Sequence, residues 1–270
     1  MKHCIKRNLF IITILVVSLF LVSCATVPLT GRRQIAFIPA NTALSMSYQQ
    51  YNQFIKENTL SDNLDQVERV KRVGEKIKKA VEKYMRENGL ASRLKNYRWE
   101  FNLIKKDQAN AWAMPGGKVV VYTGMLPIAK DDNGLAVIIA HEVAHVIARH
   151  GIERMSQGLI ASFGGLALSA ALEDYPDQTK RLWLTVFGVG AQYGVLLPYS
   201  RLHEKEADHL GLIFMAMAGY DPHGAITFWQ RMAEHKGDKI AFEFLSTHPS
   251  NKQRIANIKK QIPEAMQYYR

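Results

Sequence analysis

The stretch His141-Glu142-Val143-Ala144-His145 decides how this chain is read. It has the form H-E-x-x-H. On a helix, residues four apart share a face, so both imidazoles can reach one cation at the usual Zn–N distance of about 2.0–2.1 Å. Glu142 is rotated by roughly 100° from His141, because a helix turns once in about 3.6 residues. It therefore flanks the cation, where it can take a proton from water activated there. At this composition the motif would arise by chance only about 0.02 times in a chain of this length. Its surroundings are apolar: Leu135 to Ala140 precede it, and Val143, Ala144, Val146, Ile147 and Ala148 lie within or after it. A helix hydrophobic on every side is buried, and a buried His-Glu-His set needs partners or a metal. The pattern predicts one Zn²⁺ per chain and a motif helix from Asn133 to His150.

Two histidines do not complete a catalytic zinc site, which takes three protein ligands and an open position. Metzincins place a third histidine six residues after the second, with a glycine between. Here those positions are Gly151 and Ala148, so that solution fails. His150 is one residue out of register and reads as a charge partner for the helix end. A later carboxylate is the other solution. Within Ser200-Arg201-Leu202-His203-Glu204-Lys205-Glu206-Ala207-Asp208, Glu204 and Asp208 are four apart and stack on one face. The spacing suggests Glu204 on the metal, with Asp208 accepting the N–H of a ligating histidine and fixing its tautomer. Glu206 falls on the opposite side and reads as solvated or salt-bridged, while His203 and His209 read as structural.

These motifs together resemble the HtpX-like and CAAX-prenyl-protease family of zinc peptidases. The resemblance rests on H-E-x-x-H, then S-R-x-x-E-x-E-A-D, then Ala218-Gly219-Tyr220-Asp221-Pro222. Asn110-Ala111-Trp112-Ala113-Met114-Pro115-Gly116-Gly117 and Ser246-Thr247-His248-Pro249-Ser250, followed by Arg254, agree with it. It covers roughly residues 40 to 262, and is strongest toward short periplasmic lipoprotein members without a tetratricopeptide extension. The resemblance implies an α+β, mainly helical fold: a gluzincin-type metallopeptidase with a small β-sheet beside the active-site helix. It implies His141, His145 and Glu204 as metal ligands and Glu142 as general base, then acid. It also brings a histidine, here His248, near the metal. That residue either stabilises the oxyanion or closes the site as a fourth ligand; a packing role at a helix start is the bland alternative. Arg254, Tyr199 and Tyr220 are weaker donor candidates. Asn110, Ala111, Trp112 and Ala113 would bind the peptide substrate as an added strand, unless Asn110 is simply a turn residue.

The N-terminus carries an address. Lys2, Lys6 and Arg7 precede a mostly apolar stretch from Leu9 to Val22, and Leu21-Val22-Ser23-Cys24 closes it. This reads as a signal peptide over residues 1–23, too short to span a bilayer, which takes about 20 apolar residues. It resembles a bacterial lipobox, with Cys24 lipidated, and Ala25 in such signals implies outer-membrane sorting. Residues 24–40 read as a tether and residues 41–270 as the zinc metallopeptidase domain. Cys4 leaves with the signal, so no thiol remains for a disulfide or a thiolate metal site. Loss of the leader lowers the formal charge from +11 to +8. That favours anionic headgroups or acidic partners, while nucleic acid is excluded for want of any binding motif.

Between these landmarks, helices are expected over Thr42–Lys56, from Ser61 or Asp62 to Gly89, from Ser200 to Ala218, and from Pro249 to Gln261, stopped by Pro263. The alternation of Tyr97, Trp99, Phe101 and Leu103 predicts a strand. Shorter extended pieces follow at Asn110–Met114 and Lys118–Tyr122. Gly158 to Leu197 is apolar, interrupted by Glu173-Asp174-Tyr175-Pro176-Asp177, and is expected to form buried helices; a membrane-leaning or substrate-covering flap is the alternative. The functional expectation is a zinc-dependent endopeptidase of the bacterial cell envelope, acting on polypeptides that are misfolded or unassembled. It would face the periplasm from a lipid anchor in the outer membrane, with outer-membrane proteins as further partners. The rival is an envelope lipoprotein that works mainly as an assembly or chaperone-like binding factor with latent protease activity.

Overall fold

The computed structural model describes residues 24–270, apart from Asp174, residues 193–195, Lys236 and Arg270; the side chains of Cys24, Ala25, Pro198 and Tyr199 are also outside the description. The leader 1–23 lies outside the described residues. The described residues divide into two compact units, one of residues 40–151 with 197–270 and the other of residues 24–39 with 152–196.

The larger unit is mainly helical around a small sheet. Helix α1 spans Ala40–Glu57 and α2 spans Leu64–Glu87. Asn63 caps α2 by accepting the Gln66 amide, one residue later than expected. Such a cap satisfies an amide that the helix leaves without a partner. Strands β3 (Glu100–Ile104), β4 (Ala111–Met114) and β5 (Lys118–Tyr122) follow in the sheet order β3-β5-β4. The first pair is parallel and the second antiparallel, with Trp112 opposite Val120. Gly116 and Gly117 both have positive φ, which only glycine adopts freely, and so turn β4 into β5. Every residue of β5 is buried, as a central strand covered on both faces requires. Strand β4 stands at the edge.

Helix α3 (Asp132–Ile147) carries the motif. Asp131 caps it through the Gly134 amide, and Asp132 pairs with Arg69 and Arg72 of α2 at 2.9 Å each. From Gly134 to Ile147 every residue is buried. The helix packs against α2, β4, α6 (Leu197–Met217) and α7 (Gly224–Glu234). It stops short of the expected His150. Arg149 takes φ 58°, a left-handed conformation that breaks the run of hydrogen bonds, and a new helix α4 begins at His150 and reaches Ala171. Helix α8 (Phe242–Thr247) precedes α9 (Lys252–Ala265). Pro263 does not stop α9. Proline removes a single amide donor there, and burial of Ile262 and Ala265 on either side holds the last turn.

The smaller unit corrects two readings. Residues expected as a tether include an antiparallel hairpin of β1 (Cys24–Thr26) and β2 (Arg33–Ile35), turned through Leu29 and Gly31 at positive φ. Arg32 holds Glu153 with two parallel hydrogen bonds of 2.8 and 2.7 Å. The apolar stretch after residue 158 does form helices, the rest of α4 and α5 (Asp177–Ala191), but they are not buried ones. No described residue of α5 is buried, and Phe163, Leu166, Leu182 and Trp183 are each more than half exposed. Apolar composition predicted burial, but these side chains are exposed among the described residues. No single helix among the described residues is long and apolar enough to cross a membrane.

Candidate active site

The site is built where α3 meets α6. A Cβ on Gly211 would lie 3.2 Å from the backbone of His141, so the two helices approach as closely as glycine permits. Glu204, Asp208 and Gly211 follow one another at helical spacing on that face. This close crossing, set by a residue with no side chain, delivers both carboxylates to the motif.

His141, His145, Glu204 and His248 each present a ligand atom within 4.8 Å of the others, all buried. The Nε2 atoms of His141 and His145 are 3.1 Å apart. Glu204 lies 3.4 Å from His141 Nε2 and 3.2 Å from His145 Nε2. His248, at the end of α8, places Nδ1 3.0 Å from Glu204 and Nε2 3.4 Å from Glu142 Oε1. That Glu142 oxygen is buried and makes no hydrogen bond among the described residues. Buried acceptors without partners are costly, so this one is poised for a donor such as water.

A surrounding set of contacts orients these groups. Asp208 Oδ1 sits 3.1 Å from His141 Nδ1, which assigns a hydrogen to that nitrogen and leaves Nε2 as the atom that faces the cluster. Arg254 grips Asp208 through Nε at 3.0 Å and Nη2 at 2.7 Å, and reaches Glu204 through Nη1 at 3.1 Å. Its guanidinium lies 3.4 Å above the Trp229 ring. Asn251 caps α9 by accepting the Arg254 amide, which locates that side chain. Sequence reasoning had offered Arg254 as an oxyanion donor; its groups are already engaged by carboxylates. Tyr220 stands beside Lys76, away from the cluster, and the side chain of Tyr199 lies outside the described residues.

Electrostatics agree with a site made for a cation. Burial works against charge on His141, but hydrogen bonds to Asp208 and Glu204 outweigh it and raise the pKa to about 9. Burial drives His145 well below its ordinary value despite the neighbouring Glu204. Glu204 pays for burial too, yet His248 and His145 nearby, with a hydrogen bond from His141, hold it well below the carboxylate range. An ionised carboxylate and imidazole nitrogens converge on one point, a donor set that suits a divalent metal once His141 gives up its second proton.

Residues given minor roles from the sequence prove central. His150 is fully buried with Nδ1 2.8 Å from His145 Nδ1, and Glu206 is buried 3.1 Å from His150 Nε2. His150 is therefore not a helix-end charge, and Glu206 takes the salt-bridged of its two expected roles, buried and not solvated. His203 stacks on His150 with ring centroids 4.3 Å apart, and His209 pairs with Glu264 at 2.8 Å. At the sheet, the Asn110 side chain accepts the Ala111 amide and its carbonyl accepts from Tyr122. Trp112 packs edge-on against Phe54, so its ring belongs to the wall of the sheet. The backbone of Ala111 to Ala113 lies on the edge strand.

A mainly helical fold with a small sheet beside a buried H-E-x-x-H helix, and a carboxylate from a later helix, defines a metallopeptidase of the gluzincin type. The match to the model for Peptidase family M48 runs over residues 71–262, and the chain belongs to that family. Relatives include Mitochondrial metalloendopeptidase OMA1 of Schizosaccharomyces pombe, 41% identical over 64% of this chain and 50% of that protein. OMA1 of Saccharomyces cerevisiae is 37% identical over 66% of this chain and 51% of its own length. The Beta-barrel assembly-enhancing protease of Escherichia coli is 28% identical over 59% and 33%. The chain thus spans about half, or less, of these relatives. The narrower HtpX-like and CAAX-prenyl-protease resemblance gives way to the family as a whole.

Proposed function

We propose that this protein is a zinc-dependent endopeptidase of the bacterial cell envelope, hydrolysing misfolded or unassembled envelope polypeptides. The observation that carries the reading is the cluster of His141, His145, Glu204 and His248 with a Glu142 oxygen beside it that makes no hydrogen bond among the described residues. Imidazole and carboxylate donors fit zinc, and His141, His145 and Glu204 would hold it. Zinc bound there would supply a Lewis acid that polarises the attacking water and the scissile carbonyl. Glu142 Oε1 accepts the proton of that water and returns it to the leaving amine nitrogen. Asp208 keeps the His141 hydrogen on Nδ1, and Arg254 offsets the crowding of two carboxylates. A substrate strand pairs with the edge of β4 at residues 111–113, held by backbone hydrogen bonds that ask little of its sequence.

His248 is read as a fourth ligand that closes the site at rest, supported by its Nδ1 lying 3.0 Å from Glu204 and 3.3 Å from His141 Nε2. Displacement of His248 would then free it to face the developing oxyanion. Location rests on the leader and Cys24: lipidation would attach the chain to the outer membrane, facing the periplasm. The likeness to the Beta-barrel assembly-enhancing protease of Escherichia coli supports outer-membrane proteins as partners. The test is metal content and cleavage of an unfolded protein by purified material, with and without chelator. Zinc at one per chain and chelator-sensitive cleavage are expected; cleavage indifferent to chelator would reject the mechanism. Loss of lipid labelling in Cys24→Ser tests the anchor.

A further inference from the structure

We propose that His150 and Glu206 are positioning residues for the metal ligand His145, an inference that rests on the metal reading above. His145 and His150 face each other through Nδ1 atoms 2.8 Å apart. One hydrogen lies between two such nitrogens, so one donates and the other accepts. Ligation of a metal through His145 Nε2 decides which: that nitrogen must offer its lone pair, so Nδ1 carries the His145 hydrogen and donates to His150 Nδ1. His150 then keeps its own hydrogen on Nε2, where Glu206 Oε2 accepts it at 3.1 Å. His145 Nε2 lies 3.2 Å from Glu204, the carboxylate on α6.

The two motif histidines are thus oriented by different devices. Asp208 touches His141 directly, whereas Glu206 reaches His145 through a second imidazole. The His203 ring, inclined by 17° to that of His150, fixes the plane of the intermediary. The arrangement depends on the break after α3. Five residues on along an unbroken helix, His150 would sit roughly 140° around the axis from His145 and could not meet it. Positive φ at Arg149 folds the chain so that it does. Glu204 and Glu206 are two residues apart on α6, so one helix serves the metal on one side and the histidine relay on the other.

The experiment compares full-length parent, His150→Phe, His150→Asn and Glu206→Gln. Zn²⁺ affinity is read by chelator competition, the Co²⁺ ligand field by visible absorption, and folding by thermal melts without added metal. His150→Phe should weaken Zn²⁺ binding about 10–100-fold, the range for loss of an outer-shell partner. His150→Asn keeps an acceptor near the Nδ1 position and should recover part of that loss at an equal melting temperature. Glu206→Gln should fall between Asn and parent and shift the Co²⁺ bands. His209→Ala, at an exposed pair, should bind as the parent does. Folded His150→Phe and Glu206→Gln proteins binding Zn²⁺ within twofold of parent would overturn the inference alone. Equal weakening by Phe and Asn would also overturn it, since packing and not the acceptor would then matter. A parent that binds no metal would overturn this and the metal reading together.

Discussion

Helix α3 and the pair α4 and α5 are built from similar apolar residues and meet opposite fates. In α3 every residue from Gly134 to Ile147 is buried, with other elements on all sides. On α4, Met155, Leu159, Phe163 and Leu166 form an exposed stripe at helical spacing, and on α5 Leu182, Val186 and Val189 form another. The pair touches itself where Phe187 closes on Gly164. Hydrophobicity states how much a residue would gain from burial, not whether a partner exists to bury it. The difference also separates tasks: α3 has two imidazoles and a carboxylate held by its neighbours, and the pair offers no comparable cluster among its described residues.

The contrast can be broken experimentally. The largest effect belongs to Glu142→Gln, which should lower kcat/KM on an unfolded protein substrate about 10²–10⁴-fold while zinc stays bound. Full activity with metal retained would remove Glu142 from the chemistry. Next, Ile138→Ala in the buried helix should cost about 2–5 kcal/mol in denaturant unfolding, the sum of lost transfer energy and a cavity. A cost below about 0.5 kcal/mol would mean that α3 is not the core it looks to be.

A pH effect of intermediate size sharpens the account of the site. His141, held at about 9 against 6.5 when unfolded, keeps its proton at neutral pH before a cation arrives. The proton must leave for Nε2 to bind. Zinc affinity should therefore rise about tenfold per pH unit up to about 9 and then level off. For the protein without added metal the sign is opposite: this histidine's stabilisation is complete below 6.5 and lost as pH rises through about 9. Chelator competition and thermal melts across pH 6 to 10 check both; a flat affinity would show that His141 arrives unprotonated. The smallest effect is Leu182→Ser on the exposed stripe, expected within about 0.5 kcal/mol of parent stability with activity unchanged. A loss comparable to that of Ile138→Ala would show that something covers the stripe in solution.

Much of the site was legible because helical spacing is a local rule. The pairs His141 with His145 and Glu204 with Asp208 each follow from four-residue periodicity, and the strands at 111–114 and 118–122 from turn residues between apolar runs. What escaped depended on contacts distant in sequence. His150 looked out of register because an unbroken helix was assumed through Arg149. Glu206 reads as solvated or salt-bridged because the sequence does not show that His150 packs against it, and Arg254 looked like a donor to substrate until Asp208 and Glu204 claimed it.

By itself the sequence determined the chemical inventory: an H-E-x-x-H helix, a later carboxylate pair, and an extended piece on either side of a glycine turn. Periodicity and residue type act within one turn of backbone, and no fold is needed to read them. Only the tertiary structure decided which nitrogens face one another, which apolar helices are covered, and where the motif helix ends. Those outcomes turn on approaches such as Gly211 against His141, and on a single left-handed residue at Arg149, whose cost is repaid by neighbours more than fifty residues away.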